Sequence, residues 1–322
     1  MATKLINNLV EKCREDQSLQ PLYSQWIFDQ KLVSKALGNI NVFYPHYSLH
    51  DETHSVQILI NIERILGEDV IKKLSASDIW ILLEAAYWHD IGMVLPYQAL
   101  QKELKTEEFQ LYLDEIKNNS SHELHNFVKN TLFNLDIDIK DVALEVFEHL
   151  RFLISGYFRV NHGMNSEEIV NAPWETIGLQ SPRNSIIPIR LFKIIGRICA
   201  SHNWDFDKVL NLPQVEVGFG TENIHPRYIS CLLRLGDLLD LDNNRFDLVQ
   251  LHSLSKIPLT TEAHLEKHLS IEHFRLDSKI IEIEASCKTY EGFTETINWF
   301  QYIEDEIQKQ TLHWNHIVPK QE

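Results

Sequence analysis

The feature of this chain that most constrains its fold is a long apolar run that ends in a charged pair. Residues 79–94 read IWILLEAAYWHDIGMV, and apolar side chains lie on nearly every face of a helix built from them. Such a helix is stable only inside a core, and Asp78 before it is a favourable N-cap residue. The run nevertheless carries His89 and Asp90, and a buried carboxylate costs free energy unless its charge is compensated. The sequence therefore predicts a central buried helix with a polar site near its end.

Helical periodicity also dominates the rest of the chain. Two of the periodic segments end at Gly38 and Gly67, as helices commonly end at glycine, and Pro226 suits the first turn of another. Residues 97–140 are polar and charged, which predicts a helical excursion on the surface. The helical segments predicted from the spacing are 5–37, 51–66, 142–155, 167–172, 189–202, 226–242 and 291–313.

The C-terminal part of the chain changes character. Residues 271–276 and 280–285 have strand-like composition and flank a polar Asp277-Ser278 turn, which is typical of a β-hairpin. We therefore predict a mainly α fold, a helical bundle with a small C-terminal β-hairpin plus helix. The predicted domains are a helical domain over residues 1–250 and a small α+β extension over 251–322, packed on it.

Composition and charge narrow the partners and the compartment. There are 30 Lys and Arg against 46 Asp and Glu, a net charge of −16, which disfavours binding to long nucleic acid. The 4 cysteines show no CxxC spacing, which fits a reducing compartment. The N-terminus lacks a signal-peptide pattern, and no apolar stretch has the length of a membrane span. We expect a cytoplasmic protein with no membrane partner.

The His89-Asp90 pair has two interpretations, a satisfied buried polar pair or a site for a divalent cation. The chain holds 16 histidines, and His is the commonest metal ligand. Further His and Asp residues lie on or at the ends of apolar helical runs, where each would need a partner. In chain order, with the pair included, they are His50, His54, His89, Asp90, His162, His202 and Asp237.

This order of residues resembles the HD superfamily of metal-dependent phosphohydrolases over roughly residues 46–245. The matching stretches are HDETHSVQI, WHDIGM, FRVNHGMNS, ICASHNWD and LLRLGDLLDLD. The RxxH and CxSH stretches are similar to those of bacterial HD domains that are often fused to GHKL-type ATPase modules. Residues 1–250 would then form an HD-type metal-binding domain, and an ATPase-type partner domain or chain is expected.

The resemblance implies a set of metal ligands. His54, His89, Asp90 and Asp237 match the core ligands, and His162 and His202 match residues that complete a second site, with Asp90 bridging. The implied cofactor is a divalent transition metal, as two ions, and imidazole and carboxylate ligands suit Mn, Fe, Ni, Co or Zn. His50 is interpreted as a residue behind the ligands or as a cap at the helix entry.

The catalytic residues predicted on this basis are His89, Asp90, Arg159 and Arg234. Arg159 precedes His162 by three residues and would share its helix face if that stretch is helical. Arg234 precedes Asp237 by three and is expected to face the same cavity. Either arginine would bind phosphate, or alternatively would pair with a nearby carboxylate.

The function implied is hydrolysis of a P–O bond, as a phosphodiesterase or phosphatase. The substrate would be a nucleotide, a cyclic nucleotide or another small phosphate ester, attacked by a metal-activated water. Met93 stands where the branch that cleaves cyclic dinucleotides has Lys, which makes cyclic di-GMP a less expected substrate. The alternative is a nucleotide-sensing regulatory or binding module that docks on an ATPase or other partner domain.

Several other residues have a simpler interpretation. Trp88 is expected to pack in the core, with stacking on a nucleobase as the alternative. Trp299 and Phe300 are expected to pack the last helix against the hairpin. His264, His268 and His273 are expected at the surface, with a third metal site as the alternative, because their spacing is irregular.

Overall fold

The structure, a computed structural model, describes residues 3–131, 139–181, 183–241 and 243–320. The α-helices within these ranges are α1 (Thr3–Glu15), α2 (Gln20–Leu37), α3 (Glu52–Lys73), α4 (Ala76–Trp88), α5 (Tyr97–Glu103), α6 (Glu107–Asn118), α7 (Ile139–Arg159), α8 (His162–Asn171), α9 (Pro173–Ile177), α10 (Ile189–Ser201), α11 (Phe206–Val209), α12 (Pro226–Leu238), α13 (Leu248–His252), α14 (Leu259–Leu269), α15 (Tyr290–Leu312) and α16 (Trp314–Ile317). The strands are β1 (Glu216–Val217), β2 (Asn223–Ile224), β3 (Ile271–Leu276) and β4 (Ile281–Ala285).

The apolar run forms the central helix α4, as predicted, and all of its residues are buried. Helices α1, α2, α3, α10 and α12 pack around it. Its start differs from the prediction, because Ser75 is the N-cap and its hydroxyl accepts a hydrogen bond from the Asp78 amide. Asp78 instead lies in the first turn, where its carboxylate accepts hydrogen bonds from the backbone and imidazole of His225.

The glycine and proline signals are confirmed at two helix boundaries. Gly38 is the C-cap of α2, and Pro226 occupies the first turn of α12. Gly67 interrupts α3 with φ of 69°, a left-handed conformation that favours glycine. Helix α3 continues beyond this kink over residues 68–73, which the sequence pattern did not predict.

The predicted excursion over residues 97–140 contains helices α5 and α6 and a π-helical turn, Phe127–Thr131, and residues 132–138 lie outside the described residues. The excursion does not consist of surface residues alone, because it has a small hydrophobic core of its own that includes Phe109 and Leu113 of α6. Leu153 of α7 packs into the same cluster. The excursion is therefore anchored to the helix that leads into α8.

The C-terminal hairpin is confirmed, with β3 and β4 antiparallel and Phe274 paired with Ile283. Helix α15 packs on α12 and α14. An apolar cluster that includes Leu235, Leu276 and Ile303 joins α12, the hairpin and α15. The second small sheet, β1 with β2, lies between α11 and α12, where no strand was predicted.

The fold is thus mainly α with a C-terminal hairpin and helix, as predicted. The division into domains at residue 250 stays a prediction. None of the helices in the described ranges combines the length and the apolar character needed to cross a membrane.

Candidate metal centre

The six predicted ligands come together because each stands at or near the end of a helix. His54 lies in the first turns of α3, and His89 and Asp90 follow the last turn of α4. The remaining three are His162 at the start of α8, His202 at the end of α10 and Asp237 at the end of α12. Ligand-type atoms of His54, His89 and Asp237 all lie within 4.8 Å of one another, as do those of Asp90, His162 and His202.

Asp90 lies between the two groups. Its Oδ2 is 3.0 Å from Nε2 of His89 and 3.4 Å from Nε2 of His54. Its Oδ1 is 3.4 Å from Nε2 of His162 and 3.8 Å from Nε2 of His202. One carboxylate therefore faces histidines of both groups, one oxygen towards each.

The other ring nitrogen of each histidine is held by a hydrogen bond. Nδ1 of His89 donates to the carbonyl of Ala86 at 3.0 Å, and Nδ1 of His162 donates to the carbonyl of Arg159 at 2.6 Å. Nδ1 of His202 donates to the carbonyl of Cys199. Because a carbonyl accepts and never donates, each neutral ring carries its hydrogen on Nδ1 and its lone pair on Nε2.

His54 is held by a carboxylate instead of a carbonyl. Its Nδ1 lies 2.6 Å from Oδ2 of Asp240, and its Nε2 is 3.3 Å from Oδ1 of Asp237. Four Nε2 atoms thus converge on Asp90 and Asp237. A hydrogen bond at the far nitrogen of each ring is the arrangement that orients metal-ligating histidines in proteins.

Two buried atoms at the centre lack hydrogen-bond partners among the described residues, Nε2 of His89 and Oδ2 of Asp90. They are only 3.0 Å apart, but they are not aligned for a hydrogen bond. A buried polar atom without a partner costs free energy, and a divalent cation would satisfy both. Imidazole nitrogens and carboxylate oxygens suit transition metals, so these residues fit the cofactor that the sequence implied.

The electrostatics of the cluster favour ionised carboxylates. Burial alone would raise the pKa of Asp90, but His89, His50, His162 and His54 surround it and hold its pKa well below the ordinary value. Asp237 is shifted in the same direction, because its hydrogen bond to His54 outweighs burial and lowers its pKa.

The histidines respond in opposite directions. Burial, reinforced by the neighbouring His162 and His89, lowers the pKa of His202 to about 3 and keeps it neutral. For His54 burial and Arg245 oppose the charged form, but the neighbouring carboxylates of Asp237, Asp240 and Asp90 raise its pKa to about 10. The group formed by His54, His89 and Asp237 therefore attracts positive charge strongly.

Gly92 allows α8 to approach the end of α4. A Cβ at this position would lie 2.0 Å from the carbonyl oxygen of His162 and 2.6 Å from the amide nitrogen of Ser166. The Ser166 hydroxyl accepts from the Gly92 amide at 2.9 Å and donates to the His89 carbonyl at 2.5 Å. The φ of Gly92 is not positive, so glycine is needed at this position for room and not for its backbone conformation.

Two functional residues were missed at sequence level, Asp240 and Arg245. Asp240 holds His54, and it is paired in turn with Arg245, whose Nη1 also contacts Nδ1 of His54. Burial opposes the ionised form of Asp240, but Arg245 and His54 lower its pKa. The spacing of Asp240, three residues after Asp237 in the same helical run, was the signal that could have identified it.

The cluster opens into a cavity of about 410 Å³. Arg159 and Arg234 both line it. Nη1 of Arg159 is buried and has no hydrogen-bond partner in the described part of the chain. Arg159 and His162 do not share a helix face, because the stretch between them is not helical: α7 ends at Arg159 and a new helix starts at His162.

Arg234 has a full set of partners within the protein. Its Nε and Nη2 donate to the two carboxylate oxygens of Glu306 at 2.8 and 2.7 Å. Its Nη1 donates to the carbonyls of Ser201, His202 and Trp204 at the end of α10. This is the carboxylate-paired role that the sequence had left as the alternative.

His50 precedes α3 and does not cap it, because Asp51 is the N-cap and accepts from the Thr53 amide. The His50 ring lies beside that of His54, with ring centroids 5.6 Å apart, and it also lines the cavity. Burial lowers the pKa of His50 well below the ordinary value. His50 therefore stands next to the cluster as a neutral neighbour.

The expectation of surface positions is wrong for His264 and His268, which line the cavity, and correct for His273, which is exposed. Trp88 is buried, and its indole donates to Glu84, so it packs in the core. Trp299 packs near the hairpin, as expected, but it also lines the cavity. Through His264, His268 and Trp299, helices α14 and α15 contribute to the cavity wall.

Comparison with known proteins identifies a family match. The model of the HD-CE family matches residues 44–309, which include all six candidate ligands and the helices that close the cavity. No curated protein and no solved structure matches the chain.

Proposed function

The chain belongs to the HD-CE family, and we propose that it is a metal-dependent phosphohydrolase that cleaves a P–O bond of a small phosphate ester. The observation that carries the proposal is the convergence of four histidine Nε2 atoms on Asp90 and Asp237, with every Nδ1 held from behind. The ligands would be His54, His89, Asp90, His162, His202 and Asp237.

When bound, divalent transition-metal ions supply Lewis acidity towards phosphoryl oxygens and acidify an attacking water. The role of the protein's own residues is to hold the ester in the cavity and to exclude larger substrates. Asp90 faces both histidine groups, which suits a bridging carboxylate in a site for two ions. The cavity volume of about 410 Å³ suits a small ester and not a polymer.

Arg159 is the proposed phosphate clamp. Its buried Nη1 has no hydrogen-bond partner among the described residues and it lines the cavity beside His162 and His202. Its guanidinium is positioned 4.6 Å over the ring of Tyr47. An arginine held by stacking, with a free N–H group, is suited to donate a hydrogen bond to a phosphate oxygen. The partners of Arg234 give it the role of fastening α15 to the end of α10.

The test combines metal analysis with hydrolysis. Purified protein should contain a divalent transition metal, and it should hydrolyse members of a panel of aryl phosphodiesters, aryl phosphomonoesters and nucleotides. His89→Ala and Asp90→Ala should abolish turnover, and the matched control His273→Ala, on the exposed face of the hairpin, should retain it.

Metal bound in full without turnover across the panel would contradict the enzymatic proposal. Tight nucleotide binding without product would instead support the alternative, a nucleotide-sensing module that docks on an ATPase-type partner. The panel also separates diesterase from monoesterase activity.

A further inference from the structure

One face of α15 forms a wall of the cavity that holds the metal cluster. Its residues follow helical spacing and therefore lie on one side of the helix. They are Trp299, Tyr302, Asp305, Glu306 and Lys309. Glu306 joins α15 to α12 beside the His/Asp cluster, because it forms an ion pair with Arg234. The C-terminal extension thus contributes directly to the site.

Trp299 is held in a fixed position within this wall. Its indole Nε1 donates to the carbonyl of Leu238 at 2.9 Å. Nζ of the buried Lys267 lies 3.4 Å from the indole ring centroid on one face. Trp299 lines the cavity and Lys267 does not. The part of the indole that faces the cavity is therefore not the part that Lys267 covers. An aromatic ring held in this way binds a ligand without first losing rotamer entropy.

Tyr302 stands next to Trp299 at the mouth of the cavity. The two ring centroids are 6.4 Å apart and the rings are almost perpendicular, at 87°. Tyr302 is 59% exposed, so its ring is accessible. Among the described residues that line the cavity, Trp299 is the one tryptophan and Tyr302 the one tyrosine. Most of the other lining residues are charged residues and histidines.

We infer that Trp299 and Tyr302 are specificity-determining residues that contact a planar aromatic group of the substrate. This inference rests on the proposed function, since it assigns the phosphate end to the His/Asp cluster and Arg159. Aromatic side chains stack on flat heterocycles whatever their hydrogen-bonding edges. The substrate class is therefore a phosphate ester that carries a nucleobase or a similar aromatic heterocycle, and not a phosphorylated sugar alone.

The test measures binding and not turnover. The probes are adenosine carrying a hydrolysis-resistant methylphosphonate at its 5′ position and ribose carrying the same group, titrated calorimetrically into the metal-loaded protein. Wild-type protein should bind the adenosine compound more tightly. Tyr302→Ala and Trp299→Leu should each weaken its binding by about 5- to 150-fold and leave the ribose compound unaffected.

Trp314→Leu is the matched control, because Trp314 is exposed and does not line the cavity. Tyr302→Ala keeps the test valid if Trp299→Leu does not fold, since the Tyr302 side chain is largely exposed. Equal binding of both compounds by a protein that hydrolyses phosphate esters overturns the inference and leaves the proposed function intact. Binding of neither compound overturns both.

Discussion

Nε2 of His162 lies 2.9 Å from Nε2 of His202, although the hydrogen bonds at both Nδ1 atoms leave these two nitrogens with lone pairs. Two lone pairs at this distance repel unless a proton or a cation lies near both, and the Asn203 amide, 3.1 Å from the His162 nitrogen, contacts only one of them. Asp90 cannot supply this positive charge, because the group that faces the two nitrogens is a carboxylate. This contact is consistent with a cation held by Asp90, His162 and His202.

Replacing His162 should remove one ion and keep the other. His162→Ala removes a ligand from the group with Asp90 and His202, but leaves His54, His89 and Asp237 in place. We expect metal content to fall from about two ions per chain to about one, measured by plasma mass spectrometry after dialysis. His273→Ala should match the wild type. Unchanged metal content in His162→Ala would argue against a second site.

Gly92→Ala should destabilise the protein by overpacking. The new Cβ would meet the His162 carbonyl at 2.0 Å, and that oxygen belongs to the backbone and cannot rotate away. We expect the free energy of unfolding to fall by about 1–3 kcal/mol or more, measured by urea denaturation, together with loss of metal from the second group.

Gly38→Ala is the control for this substitution. A Cβ at Gly38 would have its nearest neighbour at 3.6 Å, and its φ of −57° suits alanine. The free energy of unfolding should therefore change by less than about 1 kcal/mol. If Gly92→Ala behaves like Gly38→Ala, α8 does not depend on the close approach at Gly92.

The residues that form the His/Asp cluster could be found from sequence because they are local features. His54, His89-Asp90, His162, His202 and Asp237 each interrupt or end an apolar helical run, and their order carries the resemblance. Helix boundaries marked by Gly38 and Pro226 were predictable for the same reason.

What escaped prediction depends on contacts between distant segments. The role of Gly92 follows from the position of His162, seventy residues later in the chain. The pairing of His54 with Asp240 and Arg245 joins segments almost two hundred residues apart. Periodicity reports which face of a helix is apolar, but it does not report which helix covers that face. This is why Trp299 and His264 at the cavity could not be foreseen.

Asp240→Asn should weaken metal binding without removing a ligand. The amide is uncharged and can present an N–H group to Nδ1 of His54, so the ring is no longer held with its lone pair on Nε2. Loss of such a partner lowers metal affinity by about 10- to 100-fold, which competition with a chromogenic chelator would measure.

Asp247→Asn is the matched control, because Asp247 caps α13 and does not line the cavity. Its metal affinity should equal that of the wild type. Equal affinities for Asp240→Asn and the wild type would show that Asp240 does not orient His54.

Lys267 should make stability depend on pH. Burial, only partly offset by Glu295, lowers the pKa of Lys267 from 10.5 to about 6. Between these values the unfolded chain binds a proton that the folded chain lacks, so the free energy of unfolding rises with pH, by at most about 1.4 kcal/mol per unit. Lys267→Met removes this dependence. Its stability advantage over the wild type, measured by denaturant titration, should therefore be largest near pH 6 and shrink towards pH 10. Lys309→Met, at an exposed position on the cavity wall, should show no such trend, and a constant advantage for Lys267→Met across this range would mean that the buried amine keeps its ordinary pKa.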